Sequence, residues 1–274
     1  MYTRIHVDMN TLIHIYKKKN IMSLRIITLA NHKGGVSKTT STASIGACMA
    51  RMGKKVLLID LDGQANLTLY FIPNENEIET SIFDSLVNGV PLPVKHIREN
   101  LDLVPSSLEM ASAEIALTNL LARERLLSNL LEPFRKDYDY ILIDCPPSLG
   151  LIALNALCAC DSFLVPIQCE FYALEGLSQL MNHVRLVKRS YNPKLETEGV
   201  LLTMFDSRLN LTQQVVKEVK KYFPHKVYRT VIPRSVRLSE APGFGQPIMY
   251  FDRSCKGALA YDALAGEMAS GGPK

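Results

Sequence analysis

The chain has 274 residues, 47% of them hydrophobic and 21% charged, ordinary proportions for a globular protein that argue against disorder and leave room for one large α/β domain or two small ones. Its net charge of +4 permits a basic patch but does not by itself imply nucleic acid. No apolar run approaches the ~20 residues of a membrane span, and no secretory signal is evident, so the six scattered cysteines read as reduced, buried thiols of a cytoplasmic protein.

Residues 1–21 alternate weakly (Ile5, Val7, Met9) and end in Lys17-Lys18-Lys19. They are expected to be a poorly ordered extension; the rival reading is a basic arm touching DNA or lipid. An apolar strand follows at 24–30, then a glycine-containing loop, then a helix of small residues through Ala50. KVLLI at 55–59 suits a strand buried on both faces. Pro73 and the polar stretch 74–79 form a surface loop, 81–87 looks helical, and 101–104 is a short strand closed by Pro105. Helical spacing runs through 107–134 (Leu108, Ala111, Ile115, Leu120, Leu126, Leu130), with Ser106 or Ser107 as N-cap. Strands are expected at 138–143, 162–167, 199–205 and 226–232, and helices at 173–190, 211–223 and 257–268, before a frayed tail at 270–274. Strands alternating with helices, and apolar on both faces, predict a single α/β domain over 22–269: a mostly parallel twisted sheet with helices on both sides. Ligands of such sheets bind at the carboxyl ends of the strands.

The residues that carry chemistry fall at those ends. Lys33-Gly34-Gly35-Val36-Ser37-Lys38-Thr39-Thr40 joins the first strand to the first helix. Strand, glycine-containing loop, Lys-Thr, helix is the layout of a phosphate cradle: loop and helix N–H groups face the anion, the lysine adds charge, and the following hydroxyl can ligate Mg²⁺. The strict G-x-x-x-x-G-K-[ST] pattern is not met, because His32 and Ser37 stand where its glycines would be. Asp144, after YDYILI, fits an acid that holds Mg²⁺ beside Thr39, or an N-cap for the next helix; the two roles are compatible. Asp60 and Asp62 end the second strand, as further site carboxylates or as a solvated Asp-Gly turn. Cys158-Ala-Cys160 invites a metal reading, but no second Cys or His pair is spaced to complete such a site.

With a lysine at each end, the 33–39 loop resembles the deviant Walker A box of the ParA/MinD ATPases. LLIDLDGQANLT resembles that family's second acidic box. PIQCEFYALEGL, GVLLTMFDSRLNLTQQVVKEVKKYF and TVIPRSVRLSEAPGFGQPI resemble its chromosomal ParA/Soj branch, and the likeness runs from Met22 to about Met268. The resemblance implies ATP and Mg²⁺ as cofactors. It implies a homodimer formed on ATP in which Lys38 acts in cis and Lys33 reaches the partner's nucleotide. It places Asp60 near Mg²⁺ and makes Asp62 the residue that orients the attacking water. It makes Pro146-Pro147-Ser148-Leu149-Gly150 a switch loop, sets Pro233 and Ser235 against adenine, and assigns Arg208 and Arg237 to sequence-neutral DNA contacts. Solvated surface arginines are the plain alternative for the last two. A ParB-type centromere-bound partner would stimulate hydrolysis, and the protein would work on the nucleoid in plasmid or chromosome partitioning. The other branch, MinD-like ATPases of the membrane surface, ends in a basic amphipathic helix. Here ALAYDALAGEMASGGPK carries Asp262, Glu267 and a single terminal lysine, a poor membrane binder.

Overall fold

Short runs of aliphatic residues, each flanked by turn formers, build the sheet. A computed structural model describes residues 24–170 and 173–273; the expected 1–21 extension lies outside them. The strands are β1 (Arg25–Leu29), β2 (Val56–Asp60), β3 (Lys95–Arg98), β4 (Leu101–Val104), β5 (Tyr140–Asp144), β6 (Ser162–Gln168) and β7 (Glu196–Thr203). They form one seven-stranded sheet in the order β3-β4-β2-β5-β1-β6-β7. Every pairing is parallel except β3 with β4. Register puts Leu29 beside Asp144 and Asp60 beside Asp144, so the carboxyl ends of the three central strands lie level.

The helices are α1 (Lys38–Arg51), α2 (Asn66–Leu69), α3 (Ile82–Asn88), α4 (Ala113–Leu117), α5 (Leu126–Leu131), α6 (Leu151–Ala159), α7 (Ala173–Ser190), α8 (Asn210–Tyr222), α9 (Val236–Glu240), α10 (Ile248–Phe251) and α11 (Lys256–Ala269). They cover both faces, and strand alternation decides which residue meets which layer. Ile26 packs with Ile152 and Ala156 of α6 and Leu180 of α7. Ile27 and Leu29 pack with Ile45 and Met49 of α1 and Leu264 of α11. α1 approaches the sheet closely: a Cβ on Gly46 would sit 2.6 Å from Leu58 Cδ2. That proximity explains the small residues read along this helix.

The expected helix over 107–134 is broken. A 3₁₀ turn at Leu108–Ser112, α4, a 3₁₀ turn at Arg123–Arg125, α5 and a last 3₁₀ turn at Glu132–Lys136 replace it. Ala122 adopts φ +50°, which no helix accommodates. Asn155 of α6 holds the break, accepting from Leu127 N at 3.2 Å and donating to Arg123 O at 2.7 Å. Ser107 stands at the N-cap position of the first turn but makes no side-chain capping bond, its Oγ lying 2.9 Å from Ser81 Oγ, while Ser106 Oγ donates to Asp62 O. Residues 226–232 run beside β7 without forming a full strand: Val200 N donates to Lys226 O at 2.7 Å, Tyr228 N to Val200 O at 3.0 Å and Ile232 N to Leu202 O at 2.9 Å, with an isolated bridge at Val200–Val227. β3 was not expected; it is an edge strand with alternate residues exposed. Ser270–Gly272 fold back on α11, Gly272 N donating to Glu267 O at 3.0 Å, where a frayed end was expected.

Candidate active site

The loop between β1 and α1 is pinned at three points. Asn31 Nδ2 donates to Pro166 O at 2.7 Å, Lys33 N to Asn31 Oδ1 at 3.0 Å, and Thr203 Oγ1 to Val36 O at 3.2 Å. Gly35 (φ +74°) and Ser37 (φ +71°) both adopt the left-handed region. Glycine suits it and serine tolerates it at some cost; this is the local price of the missing second glycine. Lys38 curls back across the loop, its Nζ 3.2 Å from the carbonyl oxygens of both Asn31 and Lys33. Burial pulls its ammonium below the usual lysine range, and Asp144, Cys145 and Asp62 oppose that shift.

Asp144 is fully buried at the end of β5. Thr42 Oγ1 lies 3.3 Å from its Oδ1, while Oδ2 has no hydrogen-bond partner among the described residues. Burial pushes this carboxyl up to about 8; the neighbouring Asp60 adds to the shift, and Thr39 and Lys38 oppose it. Helix α6 starts only at Leu151, capped by Gly150, so Asp144 is not its N-cap. Asp60 is pushed up to about 6 by burial, against bonds from Thr68 and Asp62 N. Asp60 already accepts three bonds: Asp62 N at 3.1 Å, Thr68 N at 2.8 Å and Thr68 Oγ1 at 2.8 Å.

An open cavity of about 620 Å³ faces this cluster. Of the expected site residues, Gly34, Gly35, Ser37, Lys38, Thr39, Thr40 and Asp62 line it, and Pro147 of the switch loop does so too. Val36 is buried beneath the loop, and Asp60 and Asp144 stand behind the cavity wall. The structure adds Gln64, Asn66 and Tyr70 near Asp62, and Met204, Pro242 and Gly243 on a further wall. Pro233 and Ser235 do not line the cavity; Pro233 pairs with Phe205, next to Met204. Asn66 and Gln64 belong to the quoted DGQANLT stretch, Met204 to GVLLTMFDSR and Pro242 and Gly243 to SEAPGFGQPI, whereas nothing in the sequence singled out Tyr70. A second cleft of about 640 Å³ lies between α8 and residues 224–231 and shares no residue with the loop.

An orphaned Asp144 oxygen beside Thr39, in surroundings that disfavour the bare anion, fits a divalent cation. No cluster of three His, Cys, Asp or Glu side chains among the described residues forms a cage. A cation here would complete its shell with the Thr39 hydroxyl, water and a ligand's phosphates, the habit of Mg²⁺. The thiols offer nothing comparable: burial pushes Cys48 and Cys160 up to about 12 and Cys158 and Cys169 up to about 11, which keeps them protonated and inert.

The family described as an AAA domain matches residues 24–197. The sporulation initiation inhibitor protein Soj of Bacillus subtilis is 51% identical over 252 residues, covering 90% of this chain and 99% of Soj. The chromosome partitioning protein ParA of Myxococcus xanthus is 47% identical over 247 residues, 89% of this chain and 87% of that one. The chain belongs to the ParA/Soj family of P-loop ATPases. Among solved structures, cobyrinic acid a,c-diamide synthase of Mycobacterium smegmatis with bound ADP and magnesium is 33% identical, with a TM-score of 0.79 over 90% of this chain and 94% of that one.

In this ParA/Soj chain, three expected cations are held by carboxylates of the same chain. Lys33 lies outside the cavity lining, its Nζ 2.9 Å from Glu170 Oε2. Arg208 makes a forked pair with Asp206, at 2.8 and 2.6 Å. Arg237 bonds Asp252 at 2.9 Å and Glu240 at 2.7 Å and lies over the Phe251 ring at 4.3 Å.

Proposed function

We propose that this protein is a Mg²⁺-dependent ATPase that dimerises on ATP, binds DNA without sequence preference and drives plasmid or chromosome partitioning with a ParB-type partner that stimulates hydrolysis. The observation that carries the proposal is the cavity itself: Lys38 and Thr39 at a helix start, Asp62 on the wall and a buried, half-unpartnered Asp144 behind Thr39. The membership in the ParA/Soj family and the likeness to Soj and ParA along nearly the whole chain support the partitioning role. Lys38 and the loop N–H groups hold the β- and γ-phosphates of ATP. Thr39 and Asp144 would hold Mg²⁺, which would supply positive charge to offset that developing on the phosphates. Asp62, free to face the cavity, orients water. Positioning and charge stabilisation carry the rate. One subunit lacks a second cation on the transferring phosphate, and the partner copy's equivalent of Lys33 supplies it once released from Glu170.

Two variants test this. Asp62→Ala should keep ATP binding and ATP-dependent dimerisation, followed by analytical ultracentrifugation, and lose turnover. Lys33→Ala should bind ATP and remain monomeric, with turnover reduced by about 10³-fold, the lower range for a cation supplied in trans. Normal turnover in Asp62→Ala, or wild-type protein that stays monomeric with saturating ATP and Mg²⁺, overturns the proposal.

A further inference from the structure

Asp62 sits on a loop, yet its backbone is fixed on both sides by a closed ring of hydrogen bonds. Asp62 N donates to Asp60 Oδ1 at 3.1 Å. The other Asp60 oxygen accepts from Thr68 N and Thr68 Oγ1, both at 2.8 Å. Thr68 Oγ1 in turn accepts from Ser106 N at 2.9 Å. Ser106 Oγ closes the circuit on Asp62 O at 2.7 Å. Asp60, Thr68 and Ser106 are each 0% exposed, so water is kept from the Asp60–Thr68–Ser106 side of the ring. The ring joins three elements: the end of β2, helix α2 and, 38 residues further on from Thr68, the second residue beyond β4. Only the Asp62 side chain leaves it, with Oδ1 accepting from Gln64 N at 3.0 Å and the carboxylate on the cavity wall.

From this circuit we infer that Thr68 and Ser106 are positioning residues for hydrolysis, acting through Asp62. The inference rests on Asp62 being the water-orienting residue. A group that orients water acts only within a narrow range of placement, and displacement of about 1 Å can lower a rate by about a hundredfold. A two-residue excursion beyond a strand end has no such precision on its own. Ser106 fixes the carbonyl side of Asp62 and Thr68 fixes the Asp60 carboxylate that receives its N–H. Both hydroxyls are fully used in the ring and neither lines the cavity, so their removal touches no ligand contact. Gly63 has the same logic: a Cβ there would lie 2.8 Å from Ala111 N, so the segment after Ser106 packs directly on the residue following Asp62.

The experiment compares Ser106→Ala, Thr68→Val and Thr68→Ser with the wild-type chain. Each is measured for ATP affinity with a fluorescent analogue, thermal midpoint, and single-turnover hydrolysis per bound nucleotide. Ser106→Ala and Thr68→Val should bind ATP within about twofold of wild type and hydrolyse it about tenfold to a hundredfold more slowly. Thr68→Ser, which keeps the hydroxyl, should recover most of the rate. A double variant supplies the readout that mere destabilisation would not move: in an Asp62→Ala background, Ser106→Ala should leave the residual rate unchanged. Wild-type turnover in both hydroxyl-deleting variants, or an equal further loss in the Asp62→Ala background, overturns the inference. If Asp62→Ala itself turns over normally, the reading of Asp62 fails first, and that result is distinct from an inactive Asp62→Ala beside a fully active Ser106→Ala.

Discussion

A single oxygen atom, Asp144 Oδ2, sets the electrostatic character of the site. Burial and the nearby Asp60 raise this carboxyl from 3.8 to about 8. The folded state therefore holds a proton that the unfolded chain releases, and this group's contribution to stability is greatest in acid and falls as pH rises from about 4 to about 8. Asp60, raised to about 6, acts with the same sign over a narrower window. A cation at Asp144 must expel that proton. Magnesium–nucleotide affinity should therefore climb with pH, by up to about tenfold per unit below pH 8, and level off above it. Calorimetry in buffers of different ionisation heat checks both the slope and the released proton, and Asp144→Asn should remove the slope along with most of the magnesium dependence. The lysines and aspartates of this cluster were legible because Lys-Thr after a glycine loop, and acids at strand ends, have few other uses. Tyr70 was not, because a lone aromatic on a cavity wall leaves no distinctive residue pattern; Met204, Pro242 and Gly243 lie in stretches that carry the family resemblance, but nothing there marked them individually.

At the scale of elements, the two ends of the sheet do different work. The carboxyl ends carry the cavity, while the opposite ends are tied by a buried polar knot. Arg25 of β1 reaches both Glu198 oxygens of β7 at 2.5 and 2.6 Å, and Ser162 of β6 and Tyr228 add bonds to the same carboxylate at 2.8 and 3.1 Å. Glu198→Ala leaves the part-buried guanidinium its bond to Met268 O but removes its charged partner, and should destabilise the chain by about 2 kcal/mol, measured by urea unfolding, with turnover per folded molecule unchanged. The central strands were readable as continuous apolar runs, a pattern that doubly covered parallel strands produce. β3 was not, since KHIR at a sheet edge holds a single apolar residue, Ile97, among three basic side chains. The 107–134 stretch misled for the converse reason. Its leucines repeat at helical spacing, yet Ile115 and Leu121 are 80% and 93% exposed, so periodicity did not mark one buried face.

For the whole molecule, the level strand ends place the β1–α1 loop, Asp62 and Pro147 around one opening, as expected of a parallel sheet. None of the described helices is long and apolar enough to cross a membrane. The partition role predicts that Arg237→Glu weakens binding to plasmid DNA by at least tenfold while ATP-dependent dimerisation persists. Filter binding at several salt concentrations beside ultracentrifugation checks it, and DNA affinity that ignores both the substitution and the salt counts against the basic surface.

The carboxylates that hold Arg208 and Arg237 have a thermodynamic consequence. In the proposed DNA contact, a phosphate arriving at Arg237 would exchange places with Asp252 and Glu240, anions that stay tethered nearby and would return as soon as it departed. Capture by such a guanidinium is a swap between near-equals, so the complex should have a short residence time and each arginine should liberate less than one mobile ion from the duplex. The proposed partitioning role, which needs DNA to be released again and again, would be well served by fingers that already have something else to hold.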